Sequence, residues 1–154
     1  MEDLRSLSFD ELTDKIKEMG FPAYRAKQMY EWMHVHLVRS LDEMTNIPKD
    51  LREKCRENFL FTALEIERMQ ESQIDGTRKY LFKCADGSLV ESVFMRCDFG
   101  NSVCVSSQVG CKMGCRFCAS TLDGWSRNLI PGEILDQIYS ISRDTGERVS
   151  HVVM

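Results

Sequence analysis

Near residue 60 the spacing of apolar residues changes from three-and-four to two, and no single kind of element satisfies both periods. The chain must therefore fold as a helical part followed by a strand-built part. Before the change, Ser8 and Glu11 form a capping-box signature, Leu12, Ile16 and Met19 follow at helical spacing, and Gly20 closes the run. Pro22 opens a second helix with Ala26, Met29, Tyr30 and Met33 on one stripe, and Pro48 opens a third with Leu51, Cys55 and Phe59 on another. Residues 1–60 are expected to form a small helical module.

After it, residues 61–70, 78–85, 88–97 and 102–108 read as strands, and Asp86-Gly87 is a two-residue hairpin signal of the type I′ class. Pro131 opens a helix with Ile134, Ile138 and Ile141 on one face, and 148–154 reads as a further strand, which completes a βαβ unit. The expected fold class is α/β: a helical module at 1–60, a β-hairpin connector at 61–100, and the first βαβ unit of a larger domain at 101–154. One such unit leaves most of its faces and edges uncovered, so the chain is expected to be the N-terminal portion of a longer protein. The alternative is a final strand that completes an antiparallel sheet.

Composition is that of an ordinary globular chain: 154 residues, 43% hydrophobic, 29% charged, net charge −4. Disorder and collagen are excluded. No apolar run approaches the ~20 residues needed to span a bilayer, and the acidic start MEDLRSLSFDEL is unlike a signal peptide. No membrane partner and a cytoplasmic location are expected. Seven cysteines in a reducing compartment then suit metal, redox or core roles better than a disulfide framework. Bulk charge neither calls for nor excludes nucleic acid; Lys112, Arg116 and Arg127 against Asp123 give the cysteine-rich stretch a mild positive bias.

Cys111, Cys115 and Cys118 form C-x3-C-x2-C between a strand and a helix, with Gly110 and Gly114 letting the backbone fold around a bound object. Structural zinc sites are closed by four ligands, usually as paired C-x2-C knuckles, so three cysteines fit zinc poorly. Three thiolates on a cubane iron-sulfur cluster would leave its fourth iron open to an exogenous ligand.

Two other residues stand out. With Asp86-Gly87 setting the register, Phe82 faces Glu91, and Leu89, Val93 and Met95 share its side, leaving one carboxylate on an otherwise apolar face where it could accept a proton. The alternative is a solvent-facing edge charge. Cys104 reads either as a core thiol at a strand end or as a fourth zinc ligand, the latter making the chain a zinc-stabilised RNA-binding module without enzyme activity. Cys55 and Cys84 lie on apolar faces and read as core, whereas Cys97 has no reading. His34, His36 and His151 lack spaced partners for a metal. Tyr24, Tyr30 and Trp32 near Arg25 and Lys27 could form a basic-aromatic RNA surface, with helix packing the alternative for Tyr30.

The run CVSSQVGCKMGCRFCAST, the RNL at Arg127 with Glu133 beyond it, the upstream VESVFM, and PAYRAKQMYEW followed by MTNIPKDLR together resemble the bacterial dual-specificity ribosomal and transfer RNA adenine-C2 methyltransferases. That family also includes the chloramphenicol-florfenicol resistance C8 methyltransferases. The resemblance implies a radical-SAM partial (β/α) barrel that holds a 4Fe-4S cluster on Cys111, Cys115 and Cys118, with Phe117 beside it. S-adenosyl-L-methionine would chelate the open iron and be cleaved to a 5′-deoxyadenosyl radical.

It further implies methylation of adenine C2 in 23S ribosomal RNA and transfer RNA through a methylated cysteine, with Glu91 as the base. Cys104 would be the resolving cysteine, forming a disulfide with the methyl-carrying one. The helical module would be helix-hairpin-helix-like and contact RNA, flavodoxin or ferredoxin would supply electrons, and the protein would be a monomer. The family's glycine-glutamate motif and methyl-carrying cysteine do not occur in this sequence, so the chain alone is expected to be inactive.

Overall fold

The computed structural model describes residues 1–110 and 125–154, Trp125 by its backbone only, and divides the chain into two compact units, Met1–Ala63 and Leu64–Met154. The first contains α1 (Phe9–Glu18), α2 (Tyr24–His34) and α3 (Lys49–Asn58), and a two-residue parallel pair of β1 (Glu2–Asp3) with β2 (Phe59–Leu60). The capping box forms: Ser8 Oγ accepts from the Glu11 N–H at 3.3 Å and the Glu11 carboxylate accepts from the Ser8 N–H at 2.8 Å. Gly20, at φ +86°, turns the chain out of α1. Pro48 is the residue immediately before α3, which follows it as expected.

The expected stripes supply the core of this unit. Leu12, Ile16, Ala26, Met29, Met33, Leu51 and Cys55 are fully buried, and Phe59 nearly so. Each large side chain among them contributes about 1.5–3 kcal/mol by leaving water. Arg5 is also buried, which the apolar pattern did not suggest; its guanidinium donates to the carbonyls of Thr62 and Val38, both at 2.6 Å, and lies over the Phe61 ring. Beside it the Asp3 carboxylate accepts from Thr62 N–H and Oγ1. These bonds tie the start of the unit to its end.

The second unit is built on a five-stranded sheet. Its strands are β3 (Glu65–Glu71), β4 (Arg78–Lys83), β5 (Leu89–Cys97), β6 (Gly100–Cys104) and β9 (His151–Val153), in that spatial order, antiparallel except for β6 with β9. Between β6 and β9 the chain forms a short antiparallel ribbon, β7 (Gln108–Gly110) with β8 (Trp125–Asn128), and then α4 (Pro131–Thr145). The expected βαβ crossover is present, while the ribbon was not foreseen. Residues 61–100 and 101–154, read from the sequence as separate segments, share one sheet.

Tyr80, Phe82, Val90, Phe94, Val103 and Val105 line the face against which Ile134, Ile138 and Ile141 of α4 pack. Both edge strands, β3 and β9, are exposed along their length. On β3 the charges of Glu65, Glu67, Arg68 and Glu71 guard against edge pairing.

The hairpin between β4 and β5 corrects the sequence reading. A type I′ turn needs positive φ at both central residues, but only Gly87, at +86°, has it, and Asp86 does not. Gly87 N–H instead bonds the Cys84 carbonyl at 3.0 Å and Cys84 N–H bonds the Ser88 carbonyl at 2.8 Å, a type I turn closed by a glycine bulge. The extra residue shifts the register by one, so Glu91 faces Leu81 and Phe82 faces Val90. The first expected strand also begins late, at Glu65 and not at 61.

Candidate functional site

Strand pairing puts Glu91 and Cys104 on one face of the second unit's sheet. Cys104, the last residue of β6, lies directly opposite Val93 of β5, and Glu91 is the next residue of β5 on that side. A diagonal of this kind spans about 7–8 Å between Cα atoms. Leu89, Val93 and Met95 share the face as expected, and α4 covers the opposite one. The apolar isolation expected of Glu91 is absent: its side chain is 57% exposed and lies 3.4 Å from Lys79 Nζ, a neighbour that the shifted register places on the same face. Cys104 is half-buried with a free thiol.

The backbone beyond Cys104 is held by α4. Gln137, fully buried, accepts from the Ser106 N–H (2.9 Å) and from Ser92 Oγ (2.6 Å) through Oε1, and donates to the Ser106 carbonyl (2.8 Å) through Nε2. Ser106 Oγ donates in turn to the Glu91 carbonyl at 2.6 Å. The chain then enters β7, and Val109 pairs with Arg127 of β8.

Arg127 is gripped on both sides. Its guanidinium forms a two-bond fork to the Glu133 carboxylate (2.8 and 2.9 Å), and its Nε donates to Asp86 at the hairpin tip (2.9 Å). Glu133 is 9% exposed in its side chain. Burial pushes its carboxyl up, but the Arg127 fork and the Ile130 N–H outweigh burial and leave it below the usual carboxylate range. Arg127 itself is held above its ordinary value by Glu133 and Asp86.

Sequence reasoning missed this network, because the most buried stripe of α4 is polar: Glu133, Asp136, Gln137 and Ser140. The spacing i, i+3, i+4, i+7 was there to be read, at the same period as the isoleucines beside it. Asp136 accepts from the Leu64 N–H at 2.7 Å and from Arg143 at 3.2 Å.

Cys111, Cys115, Cys118 and Phe117 lie outside the described residues, within the segment 111–124 that joins β7 to β8. Their donor chemistry, three thiolates on one short segment, suits an iron-sulfur cluster with an open iron. Among the described residues no three His, Cys, Asp or Glu gather as metal ligands.

Cys55 and Cys84 are core thiols as expected, each pushed up to about 11, chiefly by burial. Cys97 is half-buried at the end of β5. His34 packs on Tyr30, and its imidazole is pushed down to about 4, first by burial and then by Arg5. His36 lies against Trp32, and His151 meets Phe99 edge-on. In the first unit Tyr24 is exposed with Arg25 stacked over its ring at 4.8 Å, and Lys27 is exposed beside them. Tyr30 is half-buried against Phe9, and the Trp32 indole donates to Asn46. No helix among the described residues is long and apolar enough to cross a membrane.

Comparison with known proteins gives a consistent picture. Residues 2–60 match the family model described as the ribosomal RNA large subunit methyltransferase N-terminal domain. A protein of Lachnospira eligens named as a probable dual-specificity RNA methyltransferase RlmN is 54% identical over 154 residues, covering 100% of this chain and 44% of that protein. One of the same name from Staphylococcus aureus is 49% identical, covering 99% and 43%. A crystal structure of a radical SAM methyltransferase from Sphaerobacter thermophilus superposes with a TM-score of 0.91 at 35% identity, covering 100% of this chain and 46% of that one. The chain thus spans less than half the length of the relatives it matches.

Proposed function

The chain belongs to the RlmN family of RNA methyltransferases, and on that premise we propose that it supplies the cluster ligands, the proton acceptor, the resolving thiol and the RNA-docking module of a radical S-adenosylmethionine enzyme that methylates adenine C2 in 23S ribosomal and transfer RNA. The observation that carries the reading is the shared sheet face of Glu91 and Cys104, on consecutive strands of which the second continues through β7 to the cysteine segment. Adenine C2 is electrophilic and its hydrogen is not acidic, so a carbon radical can add where transfer to a nucleophile cannot occur. A 4Fe-4S cluster on Cys111, Cys115 and Cys118 would supply the electron that cleaves bound S-adenosylmethionine.

The chain's own residues then divide the work. Glu91, exposed on the face opposite α4 and with Lys79 as counter-charge, accepts the proton that leaves C2, and the unpaired electron left by the radical addition would pass to the oxidised cluster. The Cys104 thiolate attacks the sulfur of the methyl-carrying cysteine; the S–S bond forms as the S–CH2 bond breaks, and the carbon keeps the electron pair and takes up a proton. Arg25, Lys27 and Arg52 offer cations for phosphates, with Tyr24 available to stack on a base. Flavodoxin or ferredoxin is the proposed electron donor, the cytoplasm the proposed location, and the active protein a monomer.

Anaerobic reconstitution tests the ligand assignment. The chain should turn brown and take up iron and acid-labile sulfide, and Ala at Cys111, Cys115 or Cys118 should each abolish uptake. Colourless protein with one zinc per chain would establish the RNA-binding module instead. In the complete methyltransferase, Cys104→Ala should keep the cluster and accumulate a covalent protein-RNA adduct. Normal turnover by that variant would remove the proposed role of Cys104.

A further inference from the structure

A helix that packs on a sheet through Glu133, Asp136, Gln137 and Ser140 carries a desolvation cost that isoleucines in those places would avoid, unless every polar atom is bonded. The bonds are specific in what they reach. Gln137 grips both backbone groups of Ser106, two residues after Cys104, and the side chain of Ser92, the neighbour of Glu91. Glu133, one turn earlier, grips Arg127 on the strand that returns from the cysteine segment, and Arg127 extends the tie to Asp86. The two strands are also joined directly, Leu129 N–H to the Ser107 carbonyl at 2.9 Å.

We propose that Gln137 and the Arg127–Glu133 pair are positioning residues that clamp the two ends of the cysteine segment to α4, and so fix Cys104 and Glu91 relative to the cluster. This rests on the reading of Cys111, Cys115 and Cys118 as cluster ligands. The clamp residues are assigned no chemical step of their own. Gln137 is suited to the task because an amide is both donor and acceptor, and Ser106 presents one of each. A carboxylate of the same size keeps the bond to Ser106 N–H and sets an oxygen against the Ser106 carbonyl. At the other end, Lys in place of Arg127 keeps the charge and loses the fork.

The test compares Gln137→Glu, Arg127→Lys and, as a control, Asp144→Asn. Asp144 anchors the far end of α4 by accepting from Tyr80 OH (2.6 Å) and Arg78 (3.0 Å), so its loss weakens the fold without touching the clamp. Thermal midpoints establish how far each variant is destabilised. Two rates are then measured on the 154-residue chain: loss of iron to a chelator after anaerobic reconstitution, and hydrogen exchange at the Leu129 amide in iron-free protein, referenced to the Phe94 amide. Gln137→Glu and Arg127→Lys should each raise both rates roughly tenfold, the effect of one or two lost buried hydrogen bonds.

Asp144→Asn should lower the thermal midpoint and leave both rates near the parent. Parent-like rates in either clamp variant, or an equal rise in Asp144→Asn, overturn the proposal. A parent chain that takes up no iron overturns the cluster reading, and Leu129 exchange then decides the clamp by itself.

Discussion

The helices of the first unit and α4 of the second solve the burial problem in opposite ways. Helices α1, α2 and α3 turn Leu12, Ile16, Ala26, Met29, Met33, Leu51 and Cys55 inward, with the amphipathic period doing all the selecting. Helix α4 buries Glu133, Asp136, Gln137 and Ser140 beside a single buried isoleucine, Ile141, and leaves Ile134 and Ile138 only partly covered. Apolar burial is non-directional and tolerates small shifts; a buried amide or carboxylate needs partners at about 2.7–3.2 Å and good angles. The first solution holds a module together. The second fixes the coordinates of particular atoms, and it occurs beside the strands that bear Glu91, Cys104 and the ends of the cysteine segment.

The comparison can be broken most forcefully in the first core. Met29→Ala should cost about 2–5 kcal/mol in chemical denaturation, and Met29→Leu less than about 1.5 kcal/mol, because the site asks only for apolar volume. A Leu variant as damaging as Ala would show that this core, too, is specified by more than volume.

In the second unit the corresponding change is Arg127→Met, which strands the Glu133 carboxylate in a site 9% exposed. The expected loss is about 2–3 kcal/mol. Adding Glu133→Met should recover part of it, since the cost lies in the unpaired charge and not in missing volume. A double variant as unstable as the sum of the single ones would mean the fork contributes no coupling, which a double-mutant cycle reads directly.

Acid separates the two solutions more gently. His34 is held down from 6.5 to about 4, so the unfolded state gains the proton first, and the first unit should lose stability as pH falls from about 6.5 to about 4. Asp86 and Glu133 are held below 3.8 and 4.5, by Arg127 foremost for Asp86 and by the Arg127 fork against burial for Glu133. Their contribution is complete above those values and is lost only as pH falls beneath them. Between pH 6.5 and 4.5, amide protection in α2, taken relative to the intrinsic exchange rate at each pH, should therefore fall while protection in β5 does not. His34→Phe should flatten the dependence in the first unit.

The same division explains what could be read from the sequence. Helices near 8–19, 22–34 and 48–59, the crossover from β6 to β9, and the core roles of Cys55 and Cys84 follow from periodicity and from Ser8, Pro22, Pro48 and Pro131 as start signals. The face that Glu91 shares with Leu89, Val93 and Met95 followed from alternation, which survived a register error of one because the bulge added its extra residue at the turn and left the side-chain period of β5 intact; that Cys104 joins this face is set by the pairing of β5 with β6 and was not legible. The polar partners were not legible. Nothing local to Gln137 names Ser106, 31 residues away, and nothing local to Arg5 names Thr62, 57 away. Hydrophobic periodicity reports which face is buried, whereas hydrogen-bond partnership is settled only when the chain has folded.

The smallest expected effect lies at Glu91, where neither solution operates. Its partner Lys79 is 52% exposed, the pair stands at 3.4 Å on the face opposite α4, and both side chains keep most of their contact with water. Such pairs contribute about 0–1 kcal/mol, so Lys79→Met should leave the denaturation midpoint of the second unit almost unchanged. Turnover tests the proposed role of Glu91 apart from the fold. In the complete methyltransferase, Glu91→Gln should abolish turnover while leaving the denaturation midpoint of the second unit almost unchanged. Full turnover by that variant would separate Glu91 from proton transfer, and a large loss of stability in Lys79→Met would place the pair among the fixed contacts of the sheet instead of among its exposed ones.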